Sequence, residues 1–520
     1  MSRLRLTSSR RVLAVALILA GVAALMVASF FDGRSQADLS GRNVPVSAGA
    51  TDGGNINANN SPTLVKNPRR PANLVVVSRV DTPAYACGLR VSEDRGSKWK
   101  SVEVPIPPGE EPKCFAPDAT FAADGTLYMT YLTLRGNGNT PNAVWLVRSS
   151  DGGRTLSEPR KVAGRLRFQV RLTTDPKRPK RLYLTWLQAS DVALLRFAAP
   201  GNPIEATRSD DGGATWTKPV RVSDPGRGRV LAPAPAVGPD GALYVLYLDV
   251  GDDRLDYEGV HEGSGGPPHP GRFALVLGRS TDGGATWEQS LVDDRVVPTR
   301  RFIAFLPPFP SLAVDGSTGR IFAAFEDGSA SPSDVHVWSL ARGERAWEGP
   351  TRVNDTPARD GTSQYLPKLA LAPDGRLDVA YYDRRNDSTN RFNDVSLQSS
   401  SDAGKTFSSK VALTDRTFDS GIGAGSERGL PDLGSRLGLV SERSGVLAAW
   451  TDTRAGDEGS NKQVITFATG ALARSTGPSA PVRNALGYGG IALVLAGLAL
   501  WLSAGGRRPF GGAAKPPRGA

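Results

Sequence analysis

The chain is predicted to be an all-β propeller built from four-stranded antiparallel blades. Two observations predict it. A turn motif of the form Ser-x-Asp-x-Gly-x-Thr-Trp recurs about every sixty residues, a period that signals a repeat architecture. Between its copies run short segments rich in β-branched and aromatic residues, bounded by Gly and Pro, which read as strands. The clearest copies are Ser209–Trp216 and Ser280–Trp287. Ser92–Trp99 keeps Asp94 and Gly96 but has Lys98 for Thr, and Ser149–Leu156 keeps Asp151 and Thr155 but loses Trp. Ser400–Phe407 keeps Asp402 and Thr406 with Phe for Trp, and a decayed copy lies near Gly343 and Trp347.

Each motif sits in a larger unit. An apolar stretch meets a turn such as Pro239-Asp240-Gly241 or Pro373-Asp374-Gly375. A strand follows, for example Leu243–Leu248 or Leu377–Tyr382, then a polar loop, a third strand entering the motif, and a fourth such as Pro219–Val222. That is one propeller blade. Seven units start near Pro62, Ala116, Phe168, Ala232, Pro308, Leu366 and Leu430. Six blades stay open, because the terminal units could merge to close the ring.

The turn's chemistry is local. Its Asp can accept hydrogen bonds from turn amides, Gly supplies a positive φ, and the aromatic ring packs on the blade. Asp94, Asp151, Asp211, Asp282 and Asp402 are therefore expected to be structural. The motif resembles the Asp box, or BNR repeat, of the sialidase superfamily. The resemblance covers nearly the whole repeat region and implies that these turns lie away from any active site. It also implies what an enzyme of the family would carry: an Arg-Ile-Pro motif opening a three-arginine clamp, and a tyrosine nucleophile backed by glutamate, with an aspartate acid/base. Upstream of Ser92 stand Pro68-Arg69-Arg70-Pro71 and Ser78-Arg79, but no Arg-Ile-Pro. Tyr257, Tyr365, Tyr381, Tyr382 and Glu427 are available, and no motif fixes any of them.

Two apolar segments flank the repeats. Val12–Phe31 follows Arg3, Arg5, Arg10 and Arg11, and Ala485–Ala504 precedes Arg507, Arg508, Lys515 and Arg518. Each has about the twenty residues that span a bilayer. Basic flanks at both outer ends place both termini in the cytoplasm and the repeats outside. Residues 1–31 are thus expected to be a signal peptide or a retained anchor, 32–60 a flexible leader, and 61–470 the propeller. Residues 471–484 then form a stem, 485–504 a membrane helix and 505–520 a basic cytoplasmic tail. The net charge of +11 shrinks to +3 once the eight basic tail residues are set aside, so nothing points to nucleic acid. Arg outnumbers Lys 50 to 13, a usage expected of a GC-rich bacterial genome. The two cysteines, Cys87 and Cys114, fall on connections that share one face. A disulfide suits an extracytoplasmic compartment; two free thiols are the alternative.

Blade topology also sorts the loops. The motif turns and Pro-Asp-Gly turns share one face, while the loops after each second strand and the connectors between blades share the other. The second face is polar and is where a ligand is expected. Acids end its second strands at Asp249, Glu326-Asp327, Asp383 and Asp452, joined by Arg384, Arg385 and Arg454. Connectors add Arg300, Arg301, Arg428 and Arg436. Asp383, Arg384 and Arg454 are the candidate catalytic set; Arg385, Asp452, Arg300, Arg301, Asp249 and Glu326 are candidate ligand contacts. Arg384 and Arg454 could clamp a carboxylate or pair with Asp383 and Asp452. The long loop Asp249–Arg272 holds His261, Glu262 and His269, without the tight spacing of a metal site. No metal or other cofactor is expected. The expectation is a membrane-anchored, extracytoplasmic propeller binding a glycan or a cell-envelope protein. The alternatives are an exo-glycosidase for terminal acidic sugars and an envelope assembly platform.

Overall fold

A computed structural model describes residues 2–30, 37–39, 43–47, 58–190, 201–253, 268–299, 309–423, 432–457, 459–460, 462–472 and 480–504. The repeats form seven antiparallel sheets, one per unit. Seven blades, not six, make the ring. Their first strands are Asn59–Lys66, Cys114–Phe121, Arg167–Asp175, Val230–Val237, Ser311–Val314, Gln364–Leu371 and Gly438–Glu442. Each first strand touches the first strand of the blades before and after it, and the seventh touches the first. They therefore line a closed central channel, and the core lies between blades, where second strands such as Leu243–Asp249 and Leu377–Asp383 are buried throughout.

The Asp boxes behave as the residue types dictate. In the third blade, Asp211 Oδ1 accepts the Ala214 and Thr215 amides, both at 2.9 Å, and Oδ2 accepts the Thr215 hydroxyl at 2.6 Å. Ser209 donates to Asp211 at 2.7 Å and accepts the Gly213 amide at 2.8 Å. The same bonds recur around Asp151, Asp282 and Asp402. Gly213 sits at φ 85° with Leu146 pressed against it, so a side chain there meets both strain and a clash.

The seventh blade differs from expectation. Its three strands from the end of the repeats, Gly438–Glu442, Gly445–Asp452 and Val464–Leu472, lack a fourth partner of their own. Ala37–Leu39 and Val44–Pro45 fill that edge by pairing with Val464–Leu472. The Val46 amide donates to Ile465 at 2.7 Å, and Asn43 Nδ2 donates to the Leu413 carbonyl at 2.9 Å. Part of the segment expected to be a flexible leader is thus blade structure, because an open edge of unpaired amides is costly. Cys87 and Cys114 form a disulfide with Cα atoms 5.4 Å apart.

The terminal segments make a separate unit. Helices Ser2–Phe30 and Ala480–Ala504 run antiparallel against each other, with Arg11 over Trp501 at one end and Leu25 beside Gly490 at the other. A Cβ on Gly21 would lie 2.6 Å from the Gly490 carbonyl, so glycine is what permits this approach. Ala14, Gly21, Gly490 and Gly497 are buried, while Leu13, Leu19, Met26, Leu495 and Leu502 face outward. Among the described residues no helix is long and apolar enough to cross a membrane.

Candidate functional site at the channel mouth

A short pattern opens each first strand. The triplets are Ser61-Pro62-Thr63, Ala116-Pro117-Asp118, Gln169-Val170-Arg171, Ala232-Pro233-Ala234, Phe309-Pro310-Ser311, Leu366-Pro367-Lys368 and Gly434-Ser435-Arg436. In five of them the first residue is a non-glycine at φ between 48° and 56°. The ladder to the second strand slips at the same place in those five blades. In the four of these that carry proline, the bulge removes the ladder bond that proline could not donate. Its result is geometric: in those five blades the third residue of the triplet stands at an equivalent place on the channel wall. Cross-blade bonds confirm the equivalence. The Leu172 amide donates to Asp118 of the preceding blade, and the Leu369 amide to Ser311 of its preceding blade, both at 2.9 Å. Strained backbone repeated at one end of a channel is a pointer to function.

The ring so formed reads Thr63, Asp118, Arg171, Ala234, Ser311, Lys368, Arg436, and it carries three cations against one carboxylate. Arg436 Nε donates to Thr63 at 3.0 Å, Thr63 donates to Asp118 at 2.9 Å, and Arg171 pairs with Asp118 at 3.3 Å. That chain leaves charge over. Arg171 Nη1 is buried and meets Asp118 as an ion pair without hydrogen-bond alignment, and Lys368 has no acceptor or ion-pair partner among the described residues. Burial, then Arg171 and Arg436, pull the Lys368 ammonium down from 10.5 to about 8, against the pull of Asp118. Burial with Arg171 also lowers the Arg436 guanidinium. Phe309 lies across the mouth: its amide donates to the Ser435 carbonyl at 3.5 Å, and its ring sits 5.7 Å from the Arg171 guanidinium carbon.

Two buried charge networks flank this ring. Arg79, over the Phe115 ring, binds Asp81 at 2.7 Å and also Asp432, joining the first blade to the seventh. Burial lifts Asp432 to about 6 even beside that guanidinium. On the other side, Glu326 accepts the Leu366 amide at 2.9 Å and the Thr299 hydroxyl at 2.7 Å, and burial lifts it to about 7.

The residues singled out in the sequence fall into tight internal networks. Asp383, 1% exposed, accepts from Arg385 at 2.6 Å, Ser396 at 2.7 Å and Gln364 at 3.3 Å. Arg384, 8% exposed, lies over the Tyr365 ring and donates to Asn393, Tyr365 and Ser420. Arg385 also binds Asp355, and Arg454 binds Asp452, Asp415 and Asn43. Asp249 pairs with Arg227 at 2.7 Å. Tyr365, Tyr381 and Tyr382 are fully buried, and burial raises the phenols of all three. His269 meets Asp252 at 3.0 Å. Arg300, Arg301, Tyr257, His261, Glu262, Glu427 and Arg428 lie outside the described residues. Of the connector arginines, Arg436 is the one that the described structure sets in the ring. Arg171 and Lys368 escape sequence reasoning, although Lys368 ends a recurring x-Pro-x triplet.

No protein-family model matches the chain, and no curated protein matches it in sequence. Solved structures do. A protein of unknown function from Dyadobacter fermentans is 16% identical over 84% of this chain and 99% of its own, with a TM-score of 0.46. The Hadza microbial sialidase Hz136 is 15% identical over 79% and 75%, with a TM-score of 0.44. The α-L-arabinofuranosidase Arb93A from Fusarium graminearum is 15% identical over 70% and 98%, with a TM-score of 0.43. By its own sheets and turns the chain is a seven-bladed propeller of antiparallel blades with Asp-box turns.

Proposed function

We propose that this propeller is membrane-anchored and extracytoplasmic, and that it binds an acidic glycan at the channel mouth. One observation carries the ligand class: Arg171, Lys368 and Arg436 share a single carboxylate, Asp118, which Arg171 already pairs with, and the Lys368 ammonium has no acceptor among the described residues. Unmatched buried charge is costly, and a ligand carboxylate or sulfate supplies what is missing. The acidic groups of a glycan have that chemistry. Anchoring is supported by the two apolar sequence spans and by the helix pair, whose small residues face inward and large apolar ones outward. This is the arrangement favoured where lipid surrounds a helix pair.

Binding fits the geometry better than hydrolysis. Asp118 is held by Thr63, Leu172 and Arg171, and Glu326 is buried under its own donors. The test is a glycan array probed with the full chain in detergent, beside hydrolysis of a fluorogenic sialoside. Retention on carboxylated or sulfated glycans, without turnover, supports the reading. Equal retention on neutral glycans removes it, and turnover lost in Arg171→Gln moves the protein to the glycosidases.

A further inference from the structure

The channel cations include one group that differs in kind from the others. Arginine holds anions but does not react with them; a lysine amine is also a nucleophile once its proton is gone. Lys368 stands at a fixed place, one residue after Pro367 on the bulge of Gln364–Leu371. Among the described residues no carboxylate pairs with it and no carbonyl accepts from it. It shares the mouth with Arg171 and Arg436, and its surface is mostly covered. A cation kept beside other cations loses its proton more readily, and the low accessibility adds to the effect.

We propose that Lys368 is a covalent attachment site, whose amine condenses with the carbonyl of an anionic ligand while Arg171 and Arg436 hold the anionic group. The step balances without an oxidant or reductant. The Nζ lone pair adds to the carbonyl carbon, the carbonyl oxygen takes a proton to become a hydroxyl, and loss of one water leaves the C=N bond. Arg171 and Arg436, which share the single carboxylate Asp118, supply the excess positive charge for the anion. The ligand class is an aldehyde or 2-oxo acid with a carboxylate or phosphate, the open-chain form of an acidic sugar among them. This inference rests on the anion-binding reading of the mouth.

The probe is pyridoxal 5′-phosphate, an anionic aldehyde, added to the full chain in detergent, trapped with borohydride and mapped by peptide mass. With the amine pulled down toward neutrality, Lys368 should be labelled at least about tenfold faster than the mean of the other twelve lysines. Lys368→Arg should abolish that label in a chain that still folds, as circular dichroism reads it. Arg171→Gln with Arg436→Gln should slow the phosphate-bearing probe more than pyridoxal itself. Labelling spread evenly over the lysines overturns the proposal, as does equal slowing of both probes. If Lys368 stays unlabelled while acidic glycans still bind, the covalent step falls and the anion reading stands. If binding is absent too, both fall.

Discussion

Replacing Lys368 by methionine should make the folded protein more stable and the channel mouth less useful. The side chain stays unbranched, one atom shorter, and loses a cation that burial and two guanidiniums disfavour. Those neighbours, with Asp118 opposing, bring the ammonium from 10.5 to about 8. At about 1.36 kcal/mol per pH unit, keeping it charged at neutral pH costs roughly 3 kcal/mol, and about 2 kcal/mol after allowance for its partial exposure. The folded value lies below the unfolded one, so the penalty is full below about pH 8 and disappears as pH rises toward 10.5. The propeller unit, Gln36–Ala473, has an unfolding entropy of about 0.9 kcal/mol per degree. Lys368→Met should therefore melt about 2 °C higher at pH 7, with the gain shrinking between pH 8 and 10. Differential scanning calorimetry of both proteins across that range is the assay, with acidic-glycan binding measured in parallel. A variant that melts lower at pH 7, or a gain that does not change with pH, would refute the reasoning that the cation is unmatched.

Other expectations follow from named contacts. The Cys87–Cys114 bridge closes 27 residues, so Cys87→Ser with Cys114→Ser should cost about 3.5 kcal/mol and lower the melting temperature by about 4 °C. Glu326 sits above its ordinary 4.5, at about 7. Stability should thus fall as pH rises between those values and level off above them, and a pH series of melts on Glu326→Gln should lack that fall. Arg384→Ala removes a buried cation from Tyr365, Asn393 and Ser420 and should destabilise by about 3 kcal/mol, read by urea titration. Deleting residues 36–47 exposes the edge of Val464–Leu472, and light scattering should show association of the truncated chain.

Much of the fold is legible in the repeat. An Asp box needs Ser, Asp, Gly and Thr within eight residues, because all of its bonds are local, as around Asp211. Counting such turns and the strands between them gives the blades. The closure of the seventh blade is not legible, because Ala37–Leu39 pairs with residues more than four hundred positions away and carries no motif. The ring at the channel mouth lies between these cases. Arg171, Lys368 and Arg436 come from three blades and meet only when the ring closes, so no local spacing announces their chemistry. Of the three, Lys368 alone is marked by an x-Pro-x triplet. The acids and arginines that end the second strands draw attention because they are dense and adjacent in sequence, and Asp383 with Arg385, or Asp452 with Arg454, bind each other for that same reason.

If the unmatched cations of the channel mouth await a ligand's negative charge, calorimetric titration will register it. The full chain in detergent is titrated with sialylated lactose and with lactose, and both titrations are repeated on Arg171→Gln with Arg436→Gln. Heat should come from the acidic sugar alone and be lost in the double variant. Equal binding of both sugars, or acidic binding that survives in the folded variant, would contradict it.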